Sequence, residues 1–433
     1  MNKIMLTAAL VSAMLASSTT LLAANEKKSS KKDESKMVTK KDSSKKNAGW
    51  DFSGQAAIYY QTVDGQGNGS LFDQGPKTST EGWAAAAGGF QLRAINKDLG
   101  NGFGAGFELS GLSSLGLHND VVSSLVQNAG GTSDGLTAGS LTQAYVTYKA
   151  GNTNFKVGRQ ELPKSLSPFA FSEGWSVFKN TFDTALVVNS DVKNTTLVYA
   201  YVTRHNNSVG NLNDFSKFHD TDGVHMITAQ NTGIDNVTLT GSYYTLPSAT
   251  TAGSANALWL DAKVKMSGAK LEVQAGTIGG DAVPEDTNGF GVKVSGKLGQ
   301  FTTSFAYSSA DDGTLNIANL AGVGVKSPFY TQGLLNQNTI KRDSDSFKVT
   351  AAMNALGGKF VVAYMSSDMG ATALPSVFGT GNGGEGTYNE LELIYKRSLG
   401  ENTKLFTALV NQNDDRQADK GQNFFRIWMR YSL

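Results

Sequence analysis

Residues 423–433 read Asn423-Phe-Phe-Arg-Ile-Trp-Met-Arg-Tyr-Ser-Leu433. Phe425, Ile427, Met429, Tyr431 and Leu433 share one parity, and Arg426, Arg430 and Ser432 share the other. A period of two belongs to an extended strand whose two faces meet different surroundings. The pattern recurs upstream. Leu258, Leu260, Ala262, Val264 and Met266 alternate with Trp259, Asp261, Lys263 and Lys265. Leu271, Val273 and Ala275 alternate with Glu272 and Gln274, and Leu391, Leu393 and Tyr395 with Glu390, Glu392 and Lys396. Strands of soluble sheets alternate too, but they average about five or six residues, whereas these segments run to about ten.

From Trp50 onward such segments follow one another with connections that are short and long in turn. That rhythm predicts an all-β fold, a transmembrane antiparallel β-barrel of about 18 strands with short periplasmic turns and long external loops. The first strand is expected over 50–62, with Phe52, Ile58 and Tyr60 in phase. Short turns are expected at 96–102, 150–152, 191–194, 233–236, 267–269, 298–299, 354–358 and 399–402, where Gly and Asn accept positive φ. Long polar connections are expected at 63–82, 113–139, 161–177, 207–221, 247–255, 280–287, 310–344, 369–386 and 413–421. Together they leave both termini on the periplasmic side. Trp50, Tyr60, Tyr148, Tyr244, Tyr307 and Tyr431 are expected to form interfacial girdles.

The N-terminus carries Lys3, an apolar run from Ile4 to Leu15 and then Ala23 and Ala24, which predicts a cleaved signal peptide over 1–24. The run is shorter than the ~20 residues of a spanning helix. Residues 25–48 form a lysine-rich segment expected to be disordered in the periplasm, because it offers too little apolar surface to offset the entropy of ordering. Over 25–47 its net charge is +5, which suits a plain solvated spacer or contact with anionic peptidoglycan. The barrel is expected over 49–433. With the tail and Lys3 set aside, 48–433 carry −5; that points to cation preference, although selectivity depends on the few charges at the narrowest point. There is no Cys, hence no disulfide framework and no thiolate metal site. A mean hydropathy of −0.25 suits a barrel in which half of every strand is wetted.

Tests for chemistry return little. Gly102-Phe-Gly104-Ala-Gly106 lacks the helix that a dinucleotide loop requires, since strand alternation continues through Phe107 and Leu109. His118, His205 and His219 lie in or beside separate loops, so no metal spacing emerges. His225 and Asp222, read as lumen-facing, keep a barrel hydrolase in view as the alternative. Asp220 with Asp222, Asp343 with Asp345 and Asp414 with Asp415 are candidates for a divalent cation, directly or bridging lipopolysaccharide; solvated loop charge is the other reading. No other cofactor and no nucleic-acid partner is expected. An exported adhesin or structural protein would show an internal repeat, and none is seen.

The terminal strand, with an aromatic two residues before the end, resembles the C-terminal signature of bacterial outer-membrane barrels, although Leu433 stands where most such chains have Phe. Phe155-Lys-Val-Gly-Arg-Gln-Glu-Leu162, a loop with Pro163, Pro168 and Phe169, and Asn180-Thr-Phe-Asp183 resemble the OprD-type specific porins and the major porins of epsilonproteobacteria. The likeness is sharp over about thirty residues and diffuse, by strand rhythm, elsewhere. It implies an eighteen-stranded, often trimeric channel of the Gram-negative outer membrane, narrowed by its third external loop. Here that loop is 161–177, with Glu161, Lys164 and Glu173 as its constriction candidates. Small hydrophilic solutes, ions, outer-membrane lipid and lipopolysaccharide are the implied partners, and 310–344 is a second loop expected to enter the lumen.

By strand parity the pore-lining candidates are Arg93, Lys149, Lys156, Arg204, Asp261, Lys263, Lys265, Glu272, Lys293, Lys348, Glu390, Glu392, Arg426 and Arg430, with Glu108 and Asp183 beside them. Opposed charge across a constriction creates a transverse field that orients polar solutes. Parity from Phe155 and Val157 turns Arg159 outward unless its strand bulges.

Overall fold

The computed structural model describes residues 49–433 except 66–68, 75–82, 119–120, 131–137, 219–221, 251–252, 322–324, 378–382 and 418–420. The expected signal peptide and lysine-rich segment, and His219 and Asp220, lie outside the described residues.

Eighteen strands form the wall. They are β1 (Asp51–Val63), β2 (Trp83–Gly100), β3 (Phe103–Ser113), β4 (Ala138–Ala150), β5 (Thr153–Gln160) and β6 (Phe182–Asn189). Then come β7 (Thr195–His205), β8 (Val224–Asn231), β9 (Val237–Thr250), β10 (Gly253–Met266), β11 (Ala269–Gly279) and β12 (Thr287–Leu298). The last six are β13 (Phe301–Ala310), β14 (Ser344–Ala355), β15 (Gly358–Met369), β16 (Gly386–Leu399), β17 (Thr403–Asp414) and β18 (Gly421–Ser432). Each pairs antiparallel with the next, and β18 closes on β1 from Gln55↔Ser432 to Val63↔Phe424. Closure leaves no edge, so the backbone polar groups of the wall find partners within the sheet.

All eight short turns fall where the Gly and Asn clusters predict them. The turn between β2 and β3 shows why: Asn101 has φ 53° and Gly102 φ 82°, a left-handed pair suited to a tight hairpin. Alternation sorts the side chains as expected. Leu258 is 41% and Leu260 50% exposed on the outer surface, whereas Trp259 between them is 3% exposed and inside.

Two expectations are corrected. The long connection over 247–255 is instead a hairpin, because β9 and β10 extend to a Thr250↔Gly253 pair after a register shift beyond Leu246. Tyr244 is no girdle residue. It faces inward, 3% exposed, and its hydroxyl accepts from the Phe169 amide at 3.2 Å.

The loop expected at 161–177 runs to Thr181, and like the described residues of 311–343 it folds into the barrel. Phe169 packs edge-on against Tyr244 and Trp259, and Trp259 in turn against Phe329 of the second loop, at ring separations of 5.5, 5.3 and 5.6 Å. The segment after β3 also turns inward, burying Val126 and Ala129 with Tyr59 and Ala85 of the wall and Phe178 of the first loop. The hydrophobic core therefore lies within the barrel, between inserted loops and wall.

Placing a charge on the outer face tests this orientation. Leu260→Arg is expected to cost about 2–4 kcal/mol in urea unfolding of the lipid-folded protein, whereas Lys263→Arg on the inner face is expected to leave stability within about 0.5 kcal/mol.

Candidate functional site

The inner wall carries three groups of charge. On β2 and β3, Arg93 and Glu108 face each other in register and form an ion pair, with Arg93 Nε donating to Glu108 at 3.0 Å. Thr142 donates to the same carboxylate at 2.8 Å, and Glu161, first residue of the inserted loop, lies 3.6 Å from Arg93 and also pairs with Lys179. Lys156 sits 3.7 Å over the Tyr145 ring.

On the opposite wall Lys263, Glu272 and Lys293 are cross-strand neighbours on β10, β11 and β12. Lys263 pairs with Asp261 at 2.9 Å, and Glu272 accepts from Lys270 at 2.7 Å and Lys293 at 3.1 Å. Tyr330 of the second loop donates to Asp261. Between this wall and the loops lies a cavity of about 310 Å³ lined by Lys164, Ser242, Asp261, Lys263, Glu272 and Tyr330, among others.

The third group joins the loops to β14–β18. Glu390 accepts the amides of Leu334 and Leu335, both at 3.1 Å, and Glu392 that of Leu334 as well. Lys348 lies 3.9 Å from Glu392 and donates to the Gln332 carbonyl at 2.8 Å. Arg426, 3% exposed, donates to Gln61 at 3.2 Å with its guanidinium 5.0 Å from the Trp175 ring. Arg430 donates to the carbonyls of Gly174 and Ser176, at 3.0 and 2.6 Å. Glu173 ties the two loops together. Its carboxylate accepts from Asn319 Nδ2 and the Lys326 amide, each at 2.8 Å, and from Trp175 Nε1 at 3.0 Å.

Three loop lysines are perturbed, each chiefly by burial. Lys164, which donates to the Ser327 carbonyl at 3.1 Å, and Lys341 are pushed down to about 8. Lys326 is lowered too, with Arg426 and Lys348 adding like-charge repulsion.

Lys149 and Lys265 take inner positions near the short turns, opposite Asn154 and Lys270. Arg204 does not face the lumen. The register shift between Asp183 and Thr184 sets Thr184 against Val202 but Asp183 against Arg204, so a bulge at Thr203 reverses the parity of β7. Asp183 likewise points out, between the buried Phe182 and Thr184. It holds Arg159 at 2.8 Å, and β5 runs without a bulge, which keeps Arg159 on the outer side with Val157. His225 also shares the outer face, with Ile227, and its Nδ1 lies 2.9 Å from the Tyr199 hydroxyl. The lumen-facing reading of His225 is therefore wrong. The acidic loop pairs diverge: Asp343 accepts from Thr372, Asp345 from Tyr307, and Asp414 pairs with Arg416. Among the described residues no group of three metal-ligating side chains converges.

Lys270, Lys326, Lys341, Tyr145 and Tyr330 escaped the sequence reading. Parity with Glu272 places Lys270 inside; no periodic signal marks residues of an irregular loop.

Breaking the tie between the loops is expected to be audible in the current. Glu173→Ala leaves buried donors without an acceptor, a loss of about 1–3 kcal/mol, and predicts greater open-channel noise and raised conductance in single-channel recordings.

The sequence model of the Gram-negative porin family matches residues 7–417. No curated protein matches the chain. Among solved structures, OccAB3 of Acinetobacter baumannii is similar with a TM-score of 0.68 and 13% identity, covering 88% of this chain and 99% of that one. OccK8 (OprE) and OccK9 (OpdG) of Pseudomonas aeruginosa each give 0.66, at 14% and 16% identity, over 88% of this chain and 98% of theirs. The family is one of channels. A family match across most of the chain, on a closed barrel with a charged interior, means that this chain belongs to the Gram-negative porins, as an outer-membrane channel for small solutes.

Proposed function

We propose that the channel passes small hydrophilic solutes and ions passively and favours anions, with the inserted loops 161–181 and 311–343 forming the constriction. The observation that carries this is an imbalance of unpaired charge. Lys164, Lys326, Lys341, Arg426 and Arg430 form no ion pair among the described residues, against Glu173 and Glu390 on the acidic side. The −5 of the whole barrel points the other way, but Asp345 and Asp368 belong to the outer face, where a permeating ion does not meet them. Low-dielectric walls focus the field of charges that line a narrow lumen, so inner cations outweigh outer acids.

The proposal extends to the roles of the pore-lining set. Arg93 with Glu108 on one wall, and Lys263, Glu272 and Lys293 on the facing wall, line the lumen with charges of both signs, and Lys348, Glu392 and Arg426 surround the loop junction. A homotrimer, a mature chain beginning after residue 23 or 24, and a periplasmic spacer over 25–47 that touches peptidoglycan by charge complete the reading.

Reversal potential across a salt gradient, recorded from the refolded protein in a planar bilayer, tests it. An anion-selective potential at pH 7 is expected, and a cation-selective one would overturn the proposal. Because burial lowers Lys164 and Lys341 to about 8, raising the pH through 8 toward 10 removes positive charge from the lumen. Anion preference is therefore expected to fall as pH rises, and Lys164→Met to shift the pH 7 potential in the same direction.

A further inference from the structure

The outer surface of β5–β8 changes character toward its external end. Phe155, Val187, Tyr199 and Ile227 form one cross-strand row of apolar or aromatic side chains. One pleat further out stand Val157, Ala185, Tyr201 and His225. Beyond them the next outward positions are Arg159, Asp183 and Arg204. The charged row thus lies where the lipid-facing wall ends, at the level of the external headgroups.

That row is organised. Arg159 donates Nε and NH2 to Asp183 at 2.8 and 3.3 Å and NH1 to the Leu141 carbonyl at 3.2 Å, and its guanidinium stacks 3.4 Å from the Phe215 ring. Arg204 lies across from Asp183 on one side and from Lys217 on the other. It is exposed, and among the described residues its guanidinium has no hydrogen bond or ion pair. Arg159 and Arg204 thus stand on either side of Asp183, with Lys217 in register beyond Arg204. A planar guanidinium offers paired donors that match a phosphate, and neighbouring fixed cations add to the attraction.

We infer that Arg204, flanked by Arg159 and Lys217, docks a phosphorylated lipid headgroup of the external leaflet, with acyl chains lying on the Val157 and Tyr199 wall below. The inference rests on the outer-membrane placement of the barrel. A second copy of the chain is the competing occupant, since Asp345 and Asp368 make an acidic outer face on β14 and β15. That face lies nine strands round from β6, about 180° away, whereas the two contact faces of a closed trimer are about 60° apart. Pairing them would build an open row of barrels, so the lipid is favoured.

The test uses the full-length folded chain in detergent, titrated with diphosphorylated lipid A and with the same lipid stripped of phosphate, binding being followed by native mass spectrometry. Phosphate-dependent binding is expected, weakened about fivefold in Arg204→Gln, largely kept in Arg204→Lys and unchanged in Asp345→Asn. Heat-modifiable migration checks that each variant is folded. Equal binding of wild type and Arg204→Gln, or binding indifferent to phosphate, would overturn the inference. So would an oligomer that Arg204→Gln and Asp345→Asn both dissolve. Conductance of Arg204→Gln is expected to equal that of the wild type, and a wild type that conducts nothing would count against the channel reading while leaving the lipid result standing.

Discussion

The pairing of β18 with β1 is the contact on which the rest of the structure depends. In hydrocarbon each unpaired backbone N–H or C=O costs several kcal/mol, so a row of open edges could not be held by side chains alone. Closing Gln55–Val63 against Phe424–Ser432 removes both edges at once. It also divides space into an inside and an outside. Every later feature, from the apolar belt to the charged lumen, follows from which side of that surface a residue faces.

Because facing alternates strictly along a strand, much of the structure was legible in the sequence. The eighteen strands, the eight turns, and the inward positions of Glu390, Glu392, Arg426 and Arg430 follow from parity alone. Parity fails where the ladder slips. At Thr142 and Gln143 a shift opposite Glu108 turns two successive residues inward, and both are buried against carboxylates there. At Thr203 another shift sends Arg204 out to join Asp183. A bulge adds one residue without altering composition, so nothing in a single sequence marks it. His225 is a different kind of miss. Its parity with Ile227 already pointed outward, and only the chemical appeal of an isolated histidine argued for the lumen.

The inserted loops were legible in length but not in detail. Segments 161–181 and 311–343 have no period to read, and their order comes from buried polar contacts between residues distant in sequence. Asn319 exchanges two hydrogen bonds with the backbone of Phe171 and donates to Glu173, while Gln127 does the same for Phe178. Such contacts are worth little while solvated and much once enclosed, because an unmet partner in a low-dielectric interior bears the full desolvation cost. The barrel supplies that enclosure. Loops that would be mobile on a soluble protein become part of its core.

The same partition explains why whole-chain charge misleads. A water-soluble protein presents one surface, and its net charge describes what a partner meets. A barrel presents two, separated by a wall about one strand thick, and its acids and bases are not shared evenly between them. Asp345 and Asp368 face out on one side, Arg159 and Arg204 on the other, and neither set borders the path of a solute. Within the lumen Glu108 is matched by Arg93, a pair that largely cancels at a distance, whereas the two lysines on Glu272 leave one positive charge over. More uncancelled charge sits at the loop junction, on Arg426, Arg430 and lysines whose burial already weakens their hold on a proton. On the proposed reading, the charges that bias permeation are thus of two kinds: arginines on a wall that sequence periodicity could place, and lysines of irregular loops that it could not.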